Sequence, residues 1–312
     1  MYPMPPANFT LLLHGGSGRL HPAGTPFPQE AEYNRTLAAA AQAGFAVLAG
    51  GGNSLTAIET SLRLLEDSPL FNAGRGSVFS HAGLNEMDAA LMDGATLRAG
   101  AVAGVRTVRN PISAARAVLE RSGHVLLTGA GADQFAAEMG LETVPPEWFR
   151  TEERWQQFLA LQAAANATAP TTKYGTVGAV ALDQAGHLAA GTSTGGMLNK
   201  QYGRVGDSPI IGAGTYANHV CAVSGTGHGE FFIRHTVAHD IAALMEYRGL
   251  SVEAAAHLVI HEKVAPAGGK GGVIALDGRG HVAMPYSTEG LFWAYVSADG
   301  RSDTNVCNMI VE

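Results

Sequence analysis

The chain is expected to fold as an α+β protein, on three observations. Short apolar strands recur in both halves together with pairs of Ala- and Leu-rich helices. Hydrophobic residues make up 46% of the 312, enough for a sizeable core in one large domain or two. Residues 177–182 (V-G-A-V-A-L) have a buried-strand pattern and turn through 183–186 into a returning strand at 187–192, which predicts a central hairpin. No period of repeat length is present.

The elements follow in order. Residues 9–13 (F-T-L-L-L) predict a first strand. The glycines of 14–18 (H-G-G-S-G) predict a strand-end turn, an anion-cradling loop being the functional alternative. Residues 29–48 have helical periodicity that stops at the glycines of 50–52. Asn53 or Ser54 then caps a second helix with Ala57, Ile58, Leu62 and Leu65 on one face, ending before Pro69. Pro, Asn and Gly make 68–79 a loop that can turn carbonyls inward toward a hard cation. Residues 86–93 and 100–105 read as paired strands, and Pro111 opens a helix to about Arg121. A strand at 124–127, a helix at 130–139 and a polar helix at 152–165 follow. The small polar stretch 166–173 (N-A-T-A-P-T-T-K) reads as mobile and runs directly into the central hairpin, which suits it to chain cleavage or to a linker role. Beyond the hairpin, strands are expected at 209–214 and 219–224, helices at 231–247 and 252–263, a glycine turn at 268–272, and a last hairpin at 273–285.

Composition narrows the function. Charged residues are only 15%, Gly is 40, and the formal net charge of −7 argues against nucleic acid or an anionic membrane as partner. Cys221 and Cys307 are too few for a disulfide scaffold and lack zinc spacing, so a reducing compartment is expected. The first eight residues lack a basic and an apolar region, so no secretory signal is expected, and no apolar run is long enough to span a bilayer. The sequons at Asn8, Asn34 and Asn166 are accordingly read as accidental.

Three chemistries compete. Ser193 sits in G-T-S-T-G, the G-x-S-x-G pattern of a serine hydrolase, but breakers follow where a nucleophile elbow needs a helix. His235 and His239, and His257 and His261, share helix faces as metal ligands can, without the Glu of H-E-x-x-H or a third ligand. Thr176 lies between a glycine and a buried strand, as a cleaved N-terminal nucleophile would. A free α-amine has a pKa near 8. It can accept its own side chain's hydroxyl proton, so one residue supplies nucleophile and base. That amine exists only if the Gly175–Thr176 bond is cut, and a glycine keeps its carbonyl uncrowded.

At this point a family resemblance is carried by seven blocks in order: 14–18 (H-G-G-S-G), 69–76 (P-L-F-N-A-G-R-G), 86–94 (E-M-D-A-A-L-M-D-G), 174–183 (Y-G-T-V-G-A-V-A-L-D), 192–200 (T-S-T-G-G-M-L-N-K), 203–209 (G-R-V-G-D-S-P) and 224–230 (S-G-T-G-H-G-E). Together they resemble the plant-type L-asparaginase/isoaspartyl peptidase family of N-terminal nucleophile hydrolases, over most of the chain. The resemblance implies a four-layer αββα sandwich, a single domain over 1–312. It implies a precursor that cuts itself into 1–175 and 176–312 and assembles as (αβ)2. By position, it makes Thr176 the nucleophile and Thr194 its assisting hydroxyl. Arg204 and Asp207 grip the substrate's α-carboxylate and α-ammonium, and Thr226 and Gly227 form the oxyanion hole. The 65–75 loop resembles a sodium-binding loop that ligates through main-chain oxygens of Leu65, Glu66, Ser68, Phe71, Ala73 and Arg75, and no cofactor is implied for catalysis.

These residue types suit the chemistry: a guanidinium fork for a carboxylate, a carboxylate for an ammonium. Without the flanking motif, Arg204–Asp207 reads as a solvated ion pair, and Thr194 and Thr226 as turn hydroxyls bonding their own backbone. Two departures are noted: Gly225, where relatives vary, is expected to alter pocket space, and a shorter segment before Thr176 is expected to change the rate of self-cleavage. The expected function is cytoplasmic hydrolysis of β-aspartyl dipeptides and L-asparagine. A glycosylasparaginase-like amidase and an uncut amino-acid binder of the same fold are the alternatives.

Overall fold

In the computed structural model, which describes residues 8–18, 29–164 and 175–306, the strands form two facing sheets. The larger has eight strands in the order β12 (Ser302–Asn305), β11 (Leu291–Ser297), β1 (Thr10–Ser17), β5 (Val177–Leu182), β6 (Leu188–Thr194), β2 (Met87–Asp93), β3 (Ala99–Val105) and β4 (Leu126–Thr128). The smaller has four, β10 (Val282–Ala283), β9 (Gly271–Asp277), β8 (Cys221–Gly227) and β7 (Thr215–Ala217). Neighbours are antiparallel except for the parallel pair β3 and β4.

Strand periodicity explains the layering. Successive side chains point to opposite faces. On β1, Leu11 and Leu13 pack under helices α1 (Glu30–Ala49), α2 (Ser54–Asp67) and α3 (Pro111–Arg121), while Leu12 faces the second sheet. On β5, Val177, Ala179 and Ala181 face the helices and Val180 and Leu182 the other sheet. Both faces are buried, which is why these strands read as unbroken apolar runs. The small sheet carries α7 (Val237–Arg248) and α8 (Val252–His257) on its outer face, through Val223, Ile241, Val259 and Val273. Three apolar layers therefore separate four layers of elements, the αββα sandwich.

The remaining helices, α4 (Gly129–Glu138), α5 (Glu152–Ala163) and α6 (Gly229–His235), sit around this frame. Asn53 caps α2, its side chain accepting from the Thr56 N–H at 2.8 Å.

Several expectations are corrected. The segment 14–17 is strand rather than turn: β1 continues to Ser17 through a bulge between His14 and Gly16. Residues 209–214 are turns, the Ile210 N–H folding back to the Asp207 carbonyl, and 224–227 is strand. The single helix expected over 231–247 breaks at Thr236, which is left-handed with φ 47°. The last helix ends in a π-helical turn, Leu258–Val264. β11 and β12 are strands for which no element was expected. The stretch 166–173 and Cys307 lie outside the described residues; Cys221 is a buried free thiol.

Candidate active site

Thr176 stands immediately before β5. The register of the central hairpin, Val177 opposite Ser193, sets it across from Thr194, the last residue of β6. Its hydroxyl donates to Thr194 Oγ1 at 3.0 Å, and both side chains are buried. Thr194 Oγ1 also accepts the Gly196 N–H at 3.0 Å. With its oxygen accepting twice, Thr194 keeps its own proton to donate.

The carbonyl of Gly175 accepts the Asn72 N–H at 3.0 Å. Asn72 was not anticipated from the sequence, yet all its polar groups are engaged here. Its carbonyl accepts from the Gly195 N–H at 2.9 Å. Its Oδ1 accepts from the Val78 N–H at 2.9 Å, and its Nδ2 donates to the Gly196 carbonyl at 2.7 Å. A Cβ on Gly175 would lie 2.8 Å from Asn72 Cβ, and one on Gly195 2.4 Å from Asn72 Oδ1. Side chains are excluded at both positions.

A pocket of about 280 Å³, part of it open to solvent, lies over this cluster, with Gly175, Thr176, Thr194, Met197, Arg204 and Asp207 among its walls. Arg204 does not pair with Asp207. It makes a two-point bond to Glu230 on α6, Nε to Oε1 at 2.9 Å and Nη2 to Oε2 at 3.1 Å. Asp207 is buried, and its Oδ2 has no hydrogen-bond partner among the described residues. Burial pushes its carboxyl up to about 7, offset in part by its own backbone N–H and by Arg204.

Gly227 closes β8 at the pocket wall. A Cβ there would come within 2.5 Å of Gly271 Cα and of the Lys270 carbonyl. Thr226 is fully buried, its hydroxyl has no partner among the described residues, and it is not itself a pocket wall.

A family model described as asparaginase matches residues 7–306. The chain belongs to the asparaginase family. It is 50% identical over 305 residues to the isoaspartyl peptidase of Salmonella typhimurium, covering 95% of this chain and 97% of the relative. The isoaspartyl peptidase of Escherichia coli is likewise 50% identical over 305 residues, with 95% of each chain covered. A probable isoaspartyl peptidase/L-asparaginase 2 of Arabidopsis thaliana is 39% identical over 318 residues, with 94% of this chain and 97% of the relative covered.

Membership of the asparaginase family, whose members are N-terminal nucleophile hydrolases, sorts the competing motifs, and strand parity explains the sorting. Ser193 faces the helices, opposite in sense to Thr192 and Thr194; it is fully buried and donates to Glu66 Oε1 at 2.6 Å. His235 ends α6 and His239 lies beyond the break in α7. His257 and His261 approach to 4.5 Å between ring centroids but gather no third ligand from the described residues. Among the described residues, no group of three or more His, Cys, Asp or Glu is placed to hold a metal. Gly225 does not shape the pocket: a Cβ there would meet the Phe232 ring at 2.9 Å, on the helix side of β8. No helix among the described residues is long and apolar enough to cross a membrane.

Glu66 and the 65–75 loop lie beneath the site. Burial pushes the Glu66 carboxyl up to about 8, with the Ser193 hydroxyl and the Ile112 N–H partly offsetting it. Positions 74 and 76 must be glycine: a Cβ on Gly74 would lie 2.2 Å from the Glu66 carbonyl, and one on Gly76 2.0 Å from the Phe71 carbonyl.

Proposed function

We propose that this chain hydrolyses the side-chain amide of L-asparagine and the β-aspartyl bond of isoaspartyl dipeptides, using Thr176 after the chain cuts itself between Gly175 and Thr176. The observation that carries the reading is the Thr176–Thr194 hydroxyl pair beside a glycine carbonyl already held by the Asn72 N–H. In the cut, Thr176 Oγ1 attacks the Gly175 carbonyl carbon. The C–N bond breaks, an ester forms, and the nitrogen takes the hydroxyl proton. Water then hydrolyses the ester, leaving 1–175 with a carboxylate and 176–312 with a free α-amine. The Asn72 N–H stabilises the oxyanion of the first step.

In turnover the same amine accepts the Thr176 proton as the hydroxyl attacks the substrate's side-chain carbonyl. Asp207 Oδ2, buried without a partner among the described residues, suits the substrate's α-ammonium. Arg204, whose Nε and Nη2 are taken by Glu230, turns the rest of its fork to the α-carboxylate. These anchors hold the aspartyl unit by its backbone end over Thr176. The Gly227 N–H and the Thr226 hydroxyl are assigned to the tetrahedral oxyanion. Ammonia or an amino acid leaves with the proton held by the amine, and water releases aspartate from the β-aspartyl ester.

The 65–75 loop suits a sodium ion held by main-chain oxygens of Leu65, Glu66, Ser68, Phe71, Ala73 and Arg75. The observation in favour is the cradle at Gly74 and Gly76, where the Glu66 and Phe71 carbonyls fill the space a Cβ would take. The ion would be held by the dipoles of these carbonyls and would stiffen the loop that carries Asn72. We further propose an (αβ)2 assembly, and action in the cytoplasm, with which the free thiol of Cys221 is compatible.

The test is turnover of β-aspartyl-leucine and L-asparagine by purified protein and by Thr176→Ala. Activity on either substrate, lost in Thr176→Ala, is the expected result. Activity retained in Thr176→Ala but lost in Ser193→Ala would restore the serine-hydrolase reading, and binding without turnover would make the chain an amino-acid binder.

A further inference from the structure

The H-G-G-S segment, residues 14–17, belongs to β1 rather than to a loop, and its side chains reach the opposite sheet at two points. His14 Nε2 meets Ser224 Oγ at 3.0 Å, and Ser17 Oγ donates to the Thr226 carbonyl at 3.2 Å. Ser224 and Thr226 lie on β8, the strand that ends in Gly227. On its other side β1 is paired with β5, His14 opposite Gly178, two residues after Thr176. β1 is therefore bonded both to the strand that carries the nucleophile and to the strand that carries the oxyanion hole.

A regular strand could not do this, because residues 14 and 17 differ in parity and would point to opposite faces. The bulge between His14 and Gly16 inserts one residue and turns Ser17 to the same side as His14. Both glycines are required for it. Gly16 has φ 111°, and a Cβ on Gly15 would strike the Phe71 ring at 2.7 Å. Gly178 completes the fit: a Cβ there would lie 2.0 Å from Ser224 Oγ and 2.3 Å from His14 Nε2.

The bonds sit in a fully buried layer, so each is strongly specified. His14 and Ser224 have no exposed surface. Burial pushes the imidazole down to about 3, only partly offset by the nearby Thr176 backbone, so it is neutral at any working pH. Ser224 Oγ continues to Thr192 Oγ1 at 2.7 Å, which Thr215 Oγ1 meets at 2.6 Å, and Thr215 donates to the Ser208 carbonyl at 2.9 Å, next to Asp207.

We propose that His14 and Ser17 are positioning residues that fix the spacing between the nucleophile strand and the oxyanion strand, so that Thr176 and the Thr226–Gly227 donors address one carbonyl. The inference rests on the roles proposed above for Thr176, Thr226 and Gly227. Attack geometry tolerates little error, a 1 Å misplacement being able to cost about a hundredfold. His14 and Ser17 reach the segment of Arg204 and Asp207 only through three intervening hydroxyls, Ser224, Thr192 and Thr215, so the signature of replacing them is in kcat.

The experiment measures asparagine turnover by the cut enzyme for Ser17→Ala, His14→Phe, His14→Gln, Ser224→Ala and the pair His14→Phe/Ser224→Ala. Ser61→Ala is the control, since it removes an equally buried hydrogen bond, Ser61 Oγ to the Ala40 carbonyl at 2.9 Å, between α1 and α2. Ser17→Ala and His14→Phe are expected to lower kcat about tenfold or more with KM within about twofold. His14→Gln should recover part of the loss, and the pair should be no worse than its worse member, because both remove one link. Ser61→Ala should lower the melting temperature and leave kcat alone. Unchanged kcat in Ser17→Ala and His14→Phe, multiplicative losses in the pair, or a kcat loss in Ser61→Ala as large as theirs overturns the inference. Should His14→Phe not fold, Ser17→Ala decides alone. A wild-type protein that turns over neither substrate overturns the proposed function, whereas an active wild type with indifferent variants overturns only the spacing role.

Discussion

Asn72→Ala tests how far one side chain holds the site together. Alanine keeps the N–H that holds the Gly175 carbonyl but removes the acceptor of the Val78 N–H and the donor to the Gly196 carbonyl. An orphaned buried polar group costs about 1–3 kcal/mol; the Val78 N–H is buried and the Gly196 carbonyl only partly so, which brings the loss to about 1–4 kcal/mol. Unfolding entropy of about 2.1 cal/mol/K per residue gives roughly 0.66 kcal/mol/K over the 312 residues. The melting temperature should therefore fall by about 2–6 °C. Calorimetry in a Thr176→Ala background keeps every sample a single chain. In the cleavage-competent background, the half-time of self-cleavage, followed on denaturing gels, should lengthen about tenfold or more, because the 68–79 loop loses its side-chain bonds to Val78 and Gly196 and its backbone N–H then holds the Gly175 carbonyl less firmly in place. A melting temperature within about 1 °C of the parent together with an unchanged half-time would refute the role of Asn72 as the hub of the site.

Two further outcomes follow from the substrate end of the pocket. Asp207 must be a carboxylate to hold an ammonium, and burial lifts its carboxyl to about 7, so kcat/KM for asparagine should fall as pH drops below that value. With the Thr176 α-amine titrating nearby the acid limb should approach two protons, and Asp207→Asn should reduce it to one; a limb unchanged in that variant contradicts the assignment. The same shift is a stability statement. A carboxyl raised from 3.8 to about 7 favours the fold below its unfolded pKa, and that contribution is lost as pH rises through about 7, so the ligand-free enzyme should melt lower at pH 8 than at pH 5. Glu230→Gln weakens a half-exposed ion pair, so it should change stability by less than about 1 kcal/mol. It should raise KM for asparagine several-fold by loosening Arg204; steady-state kinetics with kcat lowered and KM unchanged would contradict that.

The parts of this molecule legible in its sequence are those set by local periodicity. The central hairpin, the α1–α2 pair with its Asn53 cap, and the β2–β3 pair all follow from apolar spacing and turn residues. β11 was legible and passed over: L-F-W-A-Y-V-S is rich in aromatic residues suited to a strand. Residues 14–17 misled because two glycines signal a turn, whereas here they permit a bulge inside a strand whose partners are distant in sequence, as the His14–Gly178 and Gly16–Phe292 pairings show over 164 and 276 positions respectively. No glycine or proline marks the break at Thr236, so nothing local separates α6 from α7. Within the site, Thr176, Thr194, Arg204, Asp207 and Gly227 come together on one pocket. Asn72 and Glu230 were missed because their partners come from distant segments, a matter of tertiary placement that residue type alone does not disclose.

The central claim is that Thr176 becomes a chain terminus before it becomes a nucleophile. Intact-mass measurement of the purified, active protein tests it most directly. Two fragments meeting between Gly175 and Thr176, with Thr176→Ala remaining whole and inactive, is the predicted result. Full activity in material that is a single covalent chain through that bond would contradict it.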